Sequence, residues 1–140
     1  MASNFQIGMQ GVFLTAAELT RRGLIVSLTA RNAFGADLLV TDQRCNRAWS
    51  VQVKTNQSPK KYWLLRKHAR ELTSDCFVYV FVSLKEDNQQ PDYIVASSRR
   101  VAKNVEKYRD KHNTWYSFWK EKEPECEGWS LFPSPSLTEK

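Results

Sequence analysis

Cysteine and histidine are scarce in this sequence, which has only three cysteines and two histidines among its 140 residues. Cys45, Cys76 and Cys126 are widely spaced and form no CxxC pair, and neither His68 nor His112 has a cysteine or histidine at ligand spacing. A disulfide framework and a structural zinc site both depend on such spacing. We therefore expect three reduced thiols and no zinc.

Long hydrophobic runs are also missing. The longest run, 76–82, is the length of a strand and falls far below the roughly 18 residues that cross a bilayer. The first ten residues have no cationic start followed by an apolar stretch, so they predict no signal peptide. These absences argue against a membrane protein and predict a cytoplasmic location.

The length and composition are those of one folded domain. Domains commonly contain about 100–150 residues, and 41% hydrophobic with 26% charged residues is typical of an ordinary globular protein. No repeat and no low-complexity linker divides the chain. We expect a single domain over residues 1–140, with a frayed C-terminal tail from about residue 133.

The net charge of +6 is distributed unevenly along the chain. The first 70 residues contain 11 Lys and Arg against 3 Asp and Glu, whereas the last 70 contain 10 against 12. A basic half is typical of proteins that bind a polyanion such as nucleic acid. Many basic domains bind nothing acidic, so the charge alone does not decide between these readings.

The hydrophobic pattern alternates between helical and extended segments. It predicts a helix over 5–22, strands over 24–29, 37–41 and 49–55, a short helix over about 65–72, strands over 76–84 and 92–96, a second helix from Ser97 with Val101, Val105 and Tyr108 on one face, and a short edge strand over 128–132. Trp115, Phe118 and Trp119 extend the second helix or form a separate turn. This order of elements predicts an α/β fold, with a central mixed sheet flanked by helices. The strand 76–84 is apolar on both faces, so we expect it at the centre of the sheet.

Asp37, Gln52 and Lys54 form the candidate site. Asp37 opens an apolar strand, and strand periodicity puts Gln52 and Lys54 on the same face of the next strand. If the two strands pair as a hairpin, Asp37 lies across from the region of Gln52 and Lys54. A carboxylate, an amide oxygen and an ammonium group would then meet on one face of the sheet.

This grouping suits metal-assisted hydrolysis of phosphodiesters. Carboxylate and amide oxygens are ligands for Mg²⁺, as is a backbone carbonyl, here that of Val53. The ammonium group of Lys54 can hold the attacking water and stabilise negative charge on phosphorus. The alternative is structural: Gln52 and Lys54 form the solvated face of a strand, and Asp37 caps a loop.

The segment from Gly11 to Thr55, with GADLLVTD followed by WSVQVKT, resembles the PD-(D/E)XK nuclease superfamily. It is most similar to the Holliday-junction-resolvase-like and Mrr-type restriction endonuclease branches. The resemblance implies a restriction-endonuclease-like αβββαβ core, DNA as the substrate, and Mg²⁺ or Mn²⁺ as the cofactor. It implies that Asp37 is the motif aspartate, Gln52 the acidic or glutamine position, and Lys54 the motif lysine.

The sequence departs from the family pattern at two positions. Gln52 replaces the commoner acidic residue and removes one negative charge from the metal site. Many members also carry a glutamate on the first helix, about eleven residues before its closing glycine, and that position here is Val12. Glu18 lies six residues further on, about 600° around a helix. Glu18 is either a relocated ligand or a surface residue near Arg21 and Arg22.

Basic residues on both sides of the motif are candidates for binding the DNA backbone. They are Arg31, Asn32, Lys60, Lys61, Arg66 and Lys67, with Asn32 as the one neutral member. Tyr62 and Trp63 interrupt the basic residues and are candidates for stacking on bases. The alternative is that they pack in the core or at a dimer contact. Small nucleases of this type commonly act as homodimers, so the resemblance also implies a homodimer. The second hypothesis is a degenerate protein that binds nucleic acid or a protein partner without cleaving.

Overall fold

A computed structural model describes residues 2–30, 35–86 and 89–133 of the chain. The helices are α1 (Asn4–Arg21) and α2 (Ser98–Asn104), with short 3-10 helices at Lys67–Arg70, Lys120–Glu125 and Gly128–Leu131. The strands are β1 (Ile25–Leu28), β2 (Leu38–Thr41), β3 (Ala48–Gln57), β4 (Tyr62–Leu65), β5 (Phe77–Leu84), β6 (Asp92–Ser97), β7 (Glu106–Arg109) and β8 (Thr114–Trp119). Most of the tail predicted to fray, 134–140, lies outside the described residues. No helix in the described ranges is long and apolar enough to cross a membrane.

Helix α1 begins and ends at residues that the sequence makes suitable for these positions. Ser3 Oγ accepts the N–H of Gln6, and Gln6 Oε1 accepts the N–H of Ser3, which together form a capping box. The helix ends before Gly23, whose φ of +91° lies in the left-handed region where glycine avoids the steric cost of a side chain.

The central sheet has five strands in the order β1-β2-β3-β5-β6. The pair β3–β5 is parallel and the other three pairs are antiparallel, so the predicted mixed sheet is confirmed. All eight residues of β5 are buried, as expected for a strand that is apolar on both faces. The meander β1-β2-β3 brings the start of β2 beside the middle of β3, where the candidate site lies.

The two faces of the central sheet are covered by different layers. On one face, α1 contacts β1, β3 and β5 over a core that includes Val51 and Val80. On the other face, Phe81 contacts Phe118 of a second, three-stranded antiparallel sheet with the order β4-β8-β7. Helix α2 completes this second layer. The α/β class predicted from the order of elements is therefore confirmed, with an additional small sheet.

The prediction of a long helix after Ser97 is wrong beyond Asn104. The chain turns extended at Val105 and forms the hairpin β7–β8. Asp110 Oδ1 accepts the N–H groups of both His112 and Asn113, which is the turn chemistry that closes the hairpin. The apolar residues of this segment are spaced as in a helix, but Tyr108 lies in a strand, where it is paired with Trp115.

Two shorter predictions also differ from the structure. The segment 65–72 contains only the 3-10 turn Lys67–Arg70, because β4 occupies 62–65 and pairs with β8. The predicted edge strand at 128–132 is instead the 3-10 helix Gly128–Leu131. Trp129 of this helix and Phe132 just after it pack against the α1 side of the core, and the ring centroids of Phe132 and Trp49 are 5.4 Å apart. Packing contacts with the core therefore replace the strand pairing that the sequence pattern predicts there.

Candidate functional site

The hairpin β2–β3 brings Asp37 and Gln52 together. Leu38 is paired with Val51, which places Asp37 opposite Gln52. The N–H of Asp37 donates to Val51 O at 2.7 Å, which fixes the backbone at the entrance to β2. Asp37 Oδ2 then accepts from Gln52 Nε2 at 3.0 Å and from the N–H of Val53 at 2.8 Å. The side chain of Asp37 thus takes a hydrogen bond that a strand carbonyl would otherwise accept.

The backbone carbonyl of Val53 points towards the same place. The N–H of Ser50 donates to Cys76 O, so the even-numbered residues of β3 bond towards β5. The odd-numbered residues therefore face β2, and the N–H and C=O of one strand residue point the same way. Because the N–H of Val53 reaches Asp37 Oδ2, its carbonyl lies on the side where β2 begins. The carbonyl of this predicted ligand therefore lies on the same edge of β3 as the Asp37 carboxylate.

Lys54 lies on the sheet face opposite α1. It is paired with Phe81, and Gln52 is paired with Tyr79, so the two polar side chains adjoin the aromatic side of the sheet. Burial lowers the pKa of Lys54, the nearby carboxylate of Asp37 opposes this, and the guanidinium of Arg66 lowers the pKa further. The amine is therefore held in a partly dry environment, next to one acidic and one basic group.

The carboxyl group of Asp37 is perturbed in the complementary way. Its burial raises the pKa, while the N–H of Val53 and the charge of Lys54 oppose that rise. Both members of the pair thus lose hydration in the fold and interact with each other. Perturbation by burial together with a specific charge partner is typical of functional sites.

The donor set at this point is oxygen-rich but carries little charge. The described ranges contain no group of three or more His, Cys, Asp and Glu side chains that could hold a metal. The donors are one carboxylate of Asp37, the amide of Gln52 and the carbonyl of Val53. Mg²⁺ is commonly bound by one or two carboxylates and takes water and phosphate oxygens as its other ligands, so these residues fit it. A softer ion that prefers nitrogen or sulfur finds no suitable ligand here.

Glu18 belongs to a different cluster. Its Oε2 atom lies 2.5 Å from Arg21 Nη2 and 2.8 Å from Arg22 Nε, and the hydrogen bond from Arg21 is the main reason that the pKa of Glu18 is lowered. Its charge also adds to the burial that raises the pKa of Tyr93, on β6. Strand β6 is three strands away from β2, roughly 14 Å. The structure does not bring Glu18 to Asp37, and its role as a ligand remains a prediction.

Val12, at the position where the resemblance predicts a helix glutamate, is buried between α1 and the central sheet. The preceding residue, Gly11, lies close against β3. A Cβ atom on Gly11 would lie 1.8 Å from Thr55 Oγ1. The helix is thus seated directly on the strand that carries Gln52 and Lys54, and it contributes packing rather than charge at this point.

The predicted DNA-binding residues fall into two groups. Arg31 and Asn32 lie outside the described residues. Lys60, Lys61, Arg66 and Lys67 are all exposed and flank β4. Arg66 affects the pKa of Lys54, which links this basic group to the candidate site. Within β4 itself, Trp63 is a core residue, 3% exposed, whereas Tyr62 is half-buried and packs against Trp119 with the ring planes tilted by 32°.

The second sheet is the part of the site region that the sequence analysis misses. Trp115, Ser117 and Trp119 alternate along β8, and this period of two is the signal that could have identified a strand. The alternation places one set of side chains in the core and the other on the outside. The exposed set lies beside the basic group around β4.

Comparison with known proteins gives a fold but no sequence family. No protein-family model matches the chain, and no curated protein matches it. Among solved structures, the chain is similar to Hjc of Archaeoglobus fulgidus, a Holliday junction resolvase from an archaeal hyperthermophile, with a TM-score of 0.52 and 11% identity over 85% of this chain and 88% of that one. The five-stranded mixed sheet and its flanking helices therefore form a resolvase-like, restriction-endonuclease-like fold.

Proposed function

We propose that this protein is a metal-dependent endonuclease that hydrolyses phosphodiester bonds in DNA. The observation that carries the proposal is the convergence of Asp37, Gln52 and Lys54 at the start of β2, within a fold similar to that of a DNA resolvase. The basic first half of the chain supports a polyanionic substrate. We further propose, as the sequence predicts, that the protein is cytoplasmic and acts as a homodimer.

Asp37, Gln52 and the carbonyl of Val53 would hold Mg²⁺ or Mn²⁺. In the structure, Gln52 directs Nε2 towards Asp37, and a half-turn of its amide exchanges Nε2 for Oε1 at nearly the same place. The ion would supply charge for the phosphate and a bound water of lowered pKa. With a single carboxylate among the ligands, binding relies more on the substrate phosphate than it would in a site with two acids.

Lys54 would supply a partly buried positive charge at the reacting phosphate. Its ammonium group would donate a hydrogen bond to the attacking water or to a phosphoryl oxygen, where negative charge develops. Burial strengthens such an interaction because less water screens it. The charge of Asp37 opposes the lowering of the Lys54 pKa by burial, and the N–H of Val53 holds the Asp37 carboxylate in position.

The test is cleavage of labelled linear, branched and single-stranded DNAs with Mg²⁺ or Mn²⁺. We expect Lys54→Ala and Asp37→Ala each to lower the cleavage rate by at least about 100-fold. The control is Lys103→Ala, which removes an exposed lysine from α2. Cleavage that survives in the Lys54→Ala preparation would point to a contaminating nuclease and would count against the proposal.

A second candidate function is a binding protein that has lost catalysis. The observation that favours it is the low charge of the site, with Gln52 and Val12 at positions that are acidic in many nucleases of this type. The two candidates differ in their response to metal. A rise in melting temperature with millimolar Mg²⁺ or Mn²⁺, present in the wild type and absent in Asp37→Ala, supports the nuclease. No response in either protein, together with retained DNA binding, supports the binder.

A further inference from the structure

The outer face of the sheet β4-β8-β7 carries an unusual set of exposed aromatic side chains. Tyr62 is paired with Trp119, and Tyr108 is paired with Trp115, so each pair lies side by side across two strands. The ring centroids are 5.0 Å apart in the first pair and 5.8 Å apart in the second. We call these four residues the aromatic platform.

Strand alternation explains why the platform faces outwards. Trp63 and Phe118 point into the core and are 3% and 0% exposed. The residues next to them in sequence must point the other way. Accordingly, Tyr108 is 64% exposed, Trp115 is 38% exposed and Trp119 is 36% exposed. These rings leave an apolar surface in contact with water, where polar strand residues would be the usual choice.

Cations border the platform along β4. Lys60 Nζ lies 5.9 Å from the centre of the Tyr62 ring. Extending the β4–β8 register by one residue from the pair Leu65 and Tyr116 places Arg66 opposite Trp115. Arg66 is exposed, and its backbone is extended, with φ −84° and ψ 159°. By alternation it therefore shares a face with Tyr62.

The platform lies near the candidate catalytic site, because β4 contacts β3, the strand that carries Gln52 and Lys54. From Arg66 to Tyr62 the strand advances by about 13 Å, which is the length of roughly four stacked nucleotides. The only acidic side chain among the outward positions of β7 is Glu106, opposite Ser117. Lys60 and Arg66 therefore place positive charge at the two ends of β4, with Tyr62 and Leu64 on the outer face between them, and aromatic surface extends across β8 and β7.

We propose that the aromatic platform binds unpaired bases of DNA by stacking, with the sugar–phosphate backbone following Lys60 and Arg66 along β4. Flat rings beside a row of cations are what a single strand needs, since each base presents a π face and each phosphate a charge. This inference rests on the proposed function and specifies its substrate class: DNA with a single-stranded segment next to the scissile bond. A fully paired duplex keeps its bases stacked on each other and cannot use the rings.

Binding measured without metal separates this inference from catalysis. Labelled oligo(dT) and a duplex of the same length are titrated with the protein in EDTA, and anisotropy is recorded. We expect tighter binding of oligo(dT), and we expect Trp119→Leu and Tyr108→Leu each to weaken it roughly 5- to 150-fold. Leucine keeps apolar bulk on the strand but removes the π face. The control is Phe13→Leu, which replaces a ring of similar exposure on α1.

A second measurement covers the case in which a variant folds poorly. In the wild type, Trp49 and Trp63 are buried, whereas Trp115 and Trp119 are accessible to a collisional quencher such as iodide. Bound oligo(dT) is expected to shield the accessible pair. Circular dichroism and melting temperature establish which variants are folded.

The outcomes are distinguishable from failure of the nuclease proposal. Folded leucine variants that bind oligo(dT) as tightly as the wild type overturn the platform, even if DNA is cleaved. Loss of oligo(dT) binding in these variants, in a protein that cleaves no DNA with either metal, supports the platform and rejects the nuclease. If the variants instead convert a dimer to a monomer and leave DNA binding unchanged, a second copy of the chain covers the rings and the inference is wrong.

Discussion

The contact between Gly11 of α1 and Thr55 of β3 provides the sharpest test of how the candidate site is supported. A Cβ atom added at Gly11 would lie 1.8 Å from Thr55 Oγ1, 2.9 Å from its Cβ and 3.0 Å from its Cγ2. Rotating the threonine moves Oγ1 away but leaves the two Cβ atoms at 2.9 Å. Gly11→Ala therefore forces α1 and β3 apart next to Lys54.

The expected magnitude follows from two opposing effects. Alanine is favoured over glycine inside a helix by about 1 kcal/mol. Against this, the overlap must be relieved by about 1.6 Å at the hydroxyl before it reaches the 3.4 Å of ordinary contact, and overpacking of this kind costs typically 1–3 kcal/mol or more. We expect Gly11→Ala to lower the free energy of unfolding by about 1–2 kcal/mol.

Gly8→Ala in the same helix is the matched control. A Cβ atom at Gly8 would meet nothing within 4 Å, so only the helix preference remains, and we expect a gain of about 0.5–1 kcal/mol. Urea denaturation followed by circular dichroism measures both variants, and Thr55→Ala in the Gly11→Ala background should restore part of the loss. If Gly11→Ala is as stabilising as Gly8→Ala, the close approach of α1 to β3 is not present in solution.

Three further predictions concern buried polar groups. Thr15 Oγ1 is buried with no hydrogen-bond partner among the described residues, so Thr15→Val should raise the free energy of unfolding by about 1 kcal/mol in a urea titration; a loss would mean that the hydroxyl is satisfied. Burial raises the pKa of Tyr79 to about 12 from 10, so its contribution to stability is complete below about pH 10 and is lost as pH rises towards 12. Two pKa units correspond to about 3 kcal/mol, so Tyr79→Phe should reduce by about that much the loss of unfolding free energy between pH 10 and pH 12. Identical pH profiles of unfolding free energy for the wild type and the variant would contradict this prediction. Since burial disfavours the charged form of Lys54, Lys54→Met should raise the thermal midpoint by the equivalent of on the order of 1 kcal/mol, whereas a lower midpoint would identify Lys54 as a structural residue.

The sequence predicts the part of the fold whose signals are local and regular. The period of α1, the Gly23 that ends it and the continuous apolar run of β5 each predict their element, and the structure confirms all three. The second sheet is missed because β4 has only four residues and pairs with β8, more than 50 positions away. Such pairing is decided by tertiary contacts, among them Phe118 on Phe81, rather than by a local pattern.

The meeting of Asp37 with Gln52 could be predicted because both lie on neighbouring strands of a hairpin, where register follows from counting. The proximity of Arg66 to Lys54 could not, since it depends on how the second sheet packs against the first. The ion pairs of Glu18 with Arg21 and Arg22 could be predicted, because the three residues are neighbours on one helix. The distance of Glu18 from Asp37 could not be predicted, because it depends on how the helix packs on the sheet.

The hydrogen bond from the N–H of Val53 to the carboxylate of Asp37 gives that aspartate a structural role beside its proposed role as a metal ligand. The bond continues the ladder of hydrogen bonds at the residue before β2 begins, so a relative without nuclease activity would still need an acceptor there to hold the start of the strand. An aspartate at the position of Asp37 in a relative would therefore be weak evidence that the relative is an active nuclease. If Lys54 serves catalysis as proposed, it is the more informative residue in a relative, because burial disfavours its charged form and a relative without catalysis would not need that charge.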